Sequence, residues 1–282
     1  MNLFCKLKKI PAATLFSRVI VLILALLFFA PFYISVVTAL KTPMETAQSV
    51  IALPTQIQWE NFTEAIRISR LGRSLVNSSI TTFTSVFIII LSSSTAGYAI
   101  ARNNKQRVFK TIELIYLAAL MVPFQVIMIP VYRMLHTLNL LNSLYGLIVL
   151  LVGTSVPYAT FLYIGFVKSV PKDLEEAALI DGCGALRTFI QIVFPLLKPI
   201  TSTVASLHVL WLWNEFTISL ITLHRDAVRT IPIQQFFFFS QYTINLNLGF
   251  ASAVVAMLPV ILFFLMAQKF IIEGVSAGAI KG

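Results

Sequence analysis

The side chains suited to chemistry in this 282-residue chain are few and concentrated. Four of the eleven acidic residues, Asp173, Glu175, Glu176 and Asp181, fall within residues 168–199, KSVPKDLEEAALIDGCGALRTFIQIVFPLLKP. Glu215 is the one carboxylate well inside an apolar run, next to Trp211, Trp213 and Asn214. An ionised carboxylate at mid-bilayer costs about 2.5–3.5 kcal/mol, so a residue of this kind is read first as functional. The structural alternative is a hydrogen bond to a neighbouring helix or to Asn214. His136, His208 and His224 are far apart, and Cys5 and Cys183 have no metal-ligand spacing, so no metal site is expected. The three histidines read as packing or interfacial residues. No GxxxxGK[ST] phosphate loop, HExxH, Ser/His/Asp or Cys/His arrangement is present. No catalytic residue and no bound cofactor are therefore expected, and the chain is not read as an enzyme.

Composition restricts what can position these groups. Hydrophobic residues make up 58% and charged residues 11%, whereas a soluble globule is about a quarter charged. The apolar residues are collected in long blocks, and the mean hydropathy is +0.88. Net charge is +10, but no basic stripe with interleaved aromatics points to nucleic acid. An all-α membrane protein follows, with lipid as its surroundings.

A span needs about 20 apolar residues, and six segments qualify: 18–40, 75–100, 112–134, 143–167, 200–223 and 248–272. The first is too long for a signal-peptide core and has no clear cleavage site, so it reads as an uncleaved span. Pro31, Pro123, Pro130, Pro157 and Pro259 lie within spans, where freed carbonyls must find other partners. The second span is rich in Ser and Thr, which suits close helix packing. Between the first two spans, residues 57–68 have the spacing of an amphipathic interfacial helix. No repeat or soluble domain is found, so a single domain, 1–282, is expected.

Residues 168–199 are too long for a structureless connection and read as two short helices. Pro171 suits a first helical position. Asp173, Glu175 and Glu176 favour the positive end of the first helix, and Leu174, Ala177 and Ala178 share a face. Gly182 can take the positive φ that ends it. The second helix, 185–194, is expected to stop at Pro195 and Pro199. The charges orient the chain. Lys6, Lys8, Lys9, Arg18, Arg102, Lys105, Arg107, Lys110, Lys168, Lys172, Arg187, Lys198, Lys269 and Lys281 are 14 of the 21 Lys and Arg. All fall on one side if both termini share it. That side is the cytoplasm by the positive-inside rule, and it holds the 168–199 loop, which joins spans four and five. Cys5 and Cys183 are then cytoplasmic, where no disulfide is expected.

Glu176-Ala177-Ala178, followed by Asp181-Gly182, Phe189, Ile192, Pro195 and Pro199, resembles the Glu-Ala-Ala signature of ABC importer permease subunits. In that family the stretch is a coupling helix that docks on a separate ATP-hydrolysing subunit. The resemblance implies that Glu175, Glu176, Ala177, Ala178, Asp181, Gly182, Ile192 and Pro195 serve coupling. Asn77-Ser78, the run 97–102, Trp213-Asn214-Glu215-Phe216 and the closing run 277–282 are similar to carbohydrate-uptake permeases. Within these the chain resembles the smaller, six-span subunit. Cys183 stands where the family often has Ala.

The resemblance implies a bacterial inner-membrane assembly. Its parts are a second permease subunit, two ATP-binding subunits carrying ATP and Mg, and an extracellular or periplasmic solute-binding protein. The implied function is import of a sugar or related polar solute by alternating access. Trp211, Trp213, Asn214 and Glu215 are candidates for the solute pathway. The competing reading is an ion-coupled secondary transporter using Glu215. A membrane scaffold without transport is a third.

Overall fold

The structure is a computed structural model. It describes the backbone of residues 12–241 and 245–279 and the side chains of 16–240, 245–266 and 268. Cys5, Lys6, Lys8, Lys9 and the closing Ile280-Lys281-Gly282 lie outside the described residues. Every element among the described residues is helical. In chain order these are α1 (Ala12–Ala39), α2 (Pro43–Gln48), α3 (Glu60–Ile68), α4 (Leu71–Arg102), α5 (Arg107–Leu120), α6 (Phe124–Thr137) and α7 (Leu144–Val167). Then come α8 (Asp173–Ile180), α9 (Ala185–Thr188), a π turn (Phe189–Val193), α10 (Phe194–Leu196) and α11 (Lys198–Trp213). The chain continues through α12 (Thr217–Thr222), a 3-10 turn (Asp226–Val228), α13 (Ile231–Gln241) and α14 (Leu246–Ala279).

Among the described residues, four helices, within α1, α4, α7 and α14, are long and apolar enough to cross a membrane, and two bent helix pairs bring the count to six if each is one span. The expected spans 75–100 and 143–167 correspond closely to α4 and α7. Helix α1 continues through Pro31, where the Ser35 hydroxyl donates to the Pro31 carbonyl at 2.8 Å. It exposes Leu26, Leu27, Phe28 and Phe29, a face suited to lipid rather than water. Helix α14 runs past the expected end at residue 272 to Ala279.

Two expected spans are broken. Residues 112–134 are not one helix: α5 and α6 meet at 101°. Proline disfavours helical backbone in the residue before it, and that residue is Val122. Pro123 itself is extended (ψ 135°) and opens α6. The expected span 200–223 breaks after Trp213, and α12 starts afresh at Thr217. Before it, the segments Ala185–Leu196 and Lys198–Trp213 are bent by 74°. Pro195 does not end the helix that precedes this bend, contrary to expectation. The Phe194 N–H reaches back five residues to the Phe189 carbonyl, forming the π turn. This wider turn accommodates a residue that has no N–H and whose ring would clash in an ordinary turn. The chain breaks instead at Leu197, ahead of Pro199.

By packing, the described residues form two compact units. One comprises residues up to Ser69 with Phe238–Val255, and the other Arg70–Phe237 with residues from Ala256. In the first, the Asn247 amide lies 2.8 Å from the carbonyls of Thr38 and Lys41 and from the Thr46 hydroxyl. The Asn61 amide bonds to the carbonyls of Ala39 and Lys41, both at 2.9 Å. Within the segment 57–68, expected to be helical, α3 forms from Glu60 to Ile68 and buries Ala65. Glu45 closes a capping box with Thr42 at the start of α2. Its carboxylate also accepts from the Thr55 hydroxyl and, at 2.9 Å, from the Thr55 N–H. The Thr55 hydroxyl first, then the backbone N–H groups, hold its pKa down at about 2.

The second unit is built on α4 and α7, the most extensively packed pair. The buried face of α4 carries Asn77, Ser78, Thr81, Thr82, Ser85, Ser93, Ser94 and Gly97, spaced for one helix stripe. Two of these small polar residues bond across to other segments. The Ser78 hydroxyl accepts from Ile231 N–H at 2.9 Å, and the Asn77 amide donates to the carbonyls of Ala227 and Arg229. At Gly97 the helices cross so closely that a Cβ would lie 2.6 Å from the Tyr163 Cβ. At 1.5 Å per residue α4 is about 48 Å long, more than the ~30 Å hydrocarbon core. It therefore extends beyond that core.

Candidate functional site

The acidic stretch folds as a short helix pinned on one side. Asp173, Glu175 and Glu176 occupy the first turn of α8, where their charge opposes the helix dipole. The helix begins two residues after Pro171, not at it. Its end is a Schellman motif: Gly182 takes φ +80°, its N–H bonds to the Leu179 carbonyl at 3.1 Å, and Cys183 N–H bonds to the Ala178 carbonyl at 2.9 Å. The expected face of Leu174, Ala177 and Ala178 is divided. Ala178 is buried, while Leu174 and Ala177 are exposed. Residues 175 and 178 point inward instead. Glu176, Leu179 and Ile180 are exposed, the last at 86%.

Glu175 is therefore not part of the outward surface. Its Oε1 accepts from Arg102 Nε at 2.7 Å, and its Oε2 from the Tyr98 hydroxyl at 2.8 Å. Arg102 Nη2 also donates to the Val170 carbonyl at 2.9 Å. The side chains of Arg102 and Glu175 are only 11% and 12% exposed. Truncating one member of so buried a pair costs on the order of 3–5 kcal/mol, because the other charge is left without a partner. Phe189, buried, stacks on Tyr98 with ring centroids 5.1 Å apart. Of the remaining expected coupling residues, Ile192 is half-buried and Asp181 and Pro195 are exposed.

The second group surrounds α11. Trp211 is 51% exposed and packs against Tyr158 (5.3 Å) and His208 (5.5 Å). Asn214 is exposed near it, its amide donating to the Leu210 carbonyl at 2.8 Å. Trp213 does not join them. Two residues along a helix is a turn of about 200°, and Trp213 is buried, lining a cavity of about 90 Å³ with Ser79, Phe83, Pro259 and Phe263. Glu215 occupies the break between α11 and α12. Its oxygens accept from Ile218 N–H (2.6 Å), Ser219 N–H (2.9 Å) and the Ser219 hydroxyl (2.9 Å). It caps the free N–H groups of α12. Where α5 and α6 bend, an open cavity of about 630 Å³ lies against α7, with Leu120, Val122, Phe124, Gly153 and Pro157 among its walls.

Residues 93–276 match the family described as "Binding-protein-dependent transport system inner membrane component". The chain belongs to this family. It is 36% identical over 260 residues, 92% of this chain and 94% of the relative, to the "Probable starch degradation products transport system permease protein AmyC" of Thermoanaerobacterium thermosulfurigenes. It is 36% identical over 275 residues, 96% of this chain and 99% of the relative, to the "Melibiose/raffinose/stachyose import permease protein MelC" of Bacillus subtilis. The fold is also that of a solved chain from "a bacterial ABC transporter involved in the import of the acidic polysaccharide alginate". The TM-score is 0.78 at 20% identity, covering 90% of this chain and 95% of that one. The chain is thus a multi-pass inner-membrane permease of ABC type whose relatives serve sugar import, and the family works with a binding protein and other transporter subunits.

Three residues in this permease have partners that their position in the sequence does not reveal. Tyr98 and Arg102, at the end of α4, meet Glu175 across more than seventy positions. Tyr158 completes the aromatic group around Trp211. Tyr98 and Arg102 lie within the family-like run 97–102, which marked them without stating their partner. The spacing of His208 and Trp211, three apart on a helix, does place them together.

Proposed function

We propose that this chain is the membrane-spanning subunit of an ATP-driven importer that moves an oligosaccharide into the cell by alternating access. Its six spans are α1, α4, the α5–α6 pair, α7, the bent segment ending in α11, and α14. Together they form a single permease domain, with both termini and α8 in the cytoplasm. Its partners are a second permease subunit, two ATP-binding subunits that carry ATP and Mg, and a solute-binding protein on the outer side. ATP hydrolysis belongs to those ATP-binding subunits, and this chain binds no cofactor.

The observation that carries the reading is the geometry of α8. Glu176, Ala177, Leu179 and Ile180 are exposed on a short helix whose other face is fixed by Glu175 and Ala178. A carboxylate among small and apolar side chains suits a basic cleft on another protein. Asp181 and Gly182 reverse the chain there, and Ile192 and Pro195 belong to the segment behind it. Trp211 and Asn214 offer an aromatic face and an amide to a sugar, whereas Trp213 is structural. Glu215 is fully engaged in capping α12, which speaks against the ion-coupled alternative. Replacing Glu176 with Lys, or Gly182 with Leu, is expected to abolish uptake of raffinose or maltotriose while the protein remains in the membrane. Normal uptake in both variants would sink the coupling assignment.

A further inference from the structure

Glu175 and Glu176 are adjacent in sequence and point in opposite directions. Glu176 is exposed, whereas Glu175 is gripped by Arg102 and Tyr98, one turn apart on α4. We propose that Glu175 is a positioning residue: with Tyr98 and Arg102 it forms the linkage that carries movement of α8 into α4, separately from the exposed residues that meet the ATP-binding subunit. The proposal rests on the coupling role assigned to α8 above.

Three parts of the 168–199 segment converge on the same two side chains. Arg102 holds the Val170 carbonyl before α8 and Glu175 within it, and the Tyr98 ring lies on Phe189 after it. Apolar contacts alone would let the segment slide. A buried carboxylate held through both oxygens does not slide, because separation strands a charge away from water. Beyond the linkage, α4 is packed closely against α7. Gly97, next to Tyr98, is in close contact with Tyr163 and Ile164 of α7. The Tyr163 hydroxyl in turn donates to the Thr201 hydroxyl of α11 at 3.0 Å. A displacement applied at Glu175 therefore reaches α4, α7 and α11 through one continuous set of contacts.

The test uses the whole transporter, with both permease subunits, the ATP-binding subunits and the solute-binding protein, in proteoliposomes. The readout is radiolabelled raffinose or maltotriose moved per ATP hydrolysed. Alongside it are measured the melting temperature and the amount of ATP-binding subunit that co-purifies. Glu175→Gln is expected to lower the ratio about tenfold, inside the 5–150-fold span of ordinary coupling free energies. Tyr98→Phe, which removes one of the donors to the Glu175 carboxylate, should lower it by roughly tenfold, as for one hydrogen bond to a charged acceptor. In both variants the ATP-binding subunit should still co-purify. The exchange Glu175→Arg with Arg102→Glu should restore part of the ratio. If that exchange does not fold, Tyr98→Phe decides.

An unchanged ratio in both Glu175→Gln and Tyr98→Phe overturns the linkage. So does a loss of transport and hydrolysis in equal proportion with a lowered melting temperature, which is the result for a purely structural contact. Glu176→Lys separates the two levels of the argument. If it and Gly182→Leu both keep the ATP-binding subunit and full uptake, the coupling role of α8 itself fails. If it abolishes uptake while Glu175→Gln and Tyr98→Phe both keep the wild-type ratio, only the linkage fails.

Discussion

Replacing Glu215 with Ala should loosen one short helix and leave the rest of the permease as it is. The carboxylate accepts from Ile218 N–H at 2.6 Å and from the N–H and hydroxyl of Ser219, both at 2.9 Å. Cutting back a helix-capping side chain costs about 0.5–2 kcal/mol, and hydrogen bonds to a charged acceptor lie toward about 1.5–3 kcal/mol. With about 2 kcal/mol lost locally, the amides of α12 should exchange with solvent about 30-fold faster, since each 1.4 kcal/mol is a factor of ten. Glu215→Gln keeps one carbonyl acceptor and should show a smaller increase. The assay is hydrogen exchange by mass spectrometry on the purified complex, comparing residues 217–222 with a peptide from α7. Sugar uptake is expected to fall only in part, without any change in dependence on an ion gradient. Unchanged exchange in α12 together with complete loss of uptake in Glu215→Gln would refute the capping argument and restore Glu215 as a transport group.

Other positions give equally specific expectations. Gly182→Ala places a Cβ at φ +80°, which costs roughly 1–2 kcal/mol; it should speed amide exchange across residues 177–183 in the purified complex and lower uptake together, and unchanged exchange would count against the Schellman end. Trp211→Ala should raise the KM for sugar with little change in melting temperature. Trp213→Ala, at a buried site, should instead destabilise by about 3–5 kcal/mol, and the opposite pattern would exchange the roles of the two tryptophans. The Glu45 carboxylate is held at about 2, below its ordinary 4.5. Its stabilisation of the Thr42–Thr55 turn is therefore fully present above pH 4.5 and lost as pH falls through about 2. Protection factors for residues 42–55 should fall over that window in the wild type and not in Glu45→Gln; a flat wild-type profile would contradict the contact.

What the sequence made legible depended on whether the signal was local. Helix α7 was readable because an apolar run is closed by Ser143 on one side and Lys168 on the other. The end of α8 was readable because acidic first-turn residues and a glycine carry their own geometry. The bend between α5 and α6 was not readable: apolar composition is the same for a straight span and for two helices at 101°. Pro123 signalled a kink but not its size. The π turn escaped because Pro195 normally ends a helix, and only the Phe189 carbonyl reached from Phe194 lets it continue. The direction of α8 also escaped. Spacing fixes which residues share a face, not which face is inward, and the inward one was set by Tyr98 and Arg102 far away in sequence. The separation of Trp211 from Trp213 was available from spacing alone, since helical neighbours two apart diverge.

The coupling role proposed for α8 requires that its exposed face meet an ATP-hydrolysing partner. A photo-crosslinking amino acid placed at Ile180, the most exposed large apolar residue on that helix, tests it directly in cells expressing the whole transporter. An adduct with the ATP-binding subunit is expected from position 180 and none from position 26 on the lipid-suited face of α1. No such adduct from position 180 in a transporter that still imports sugar would contradict that role.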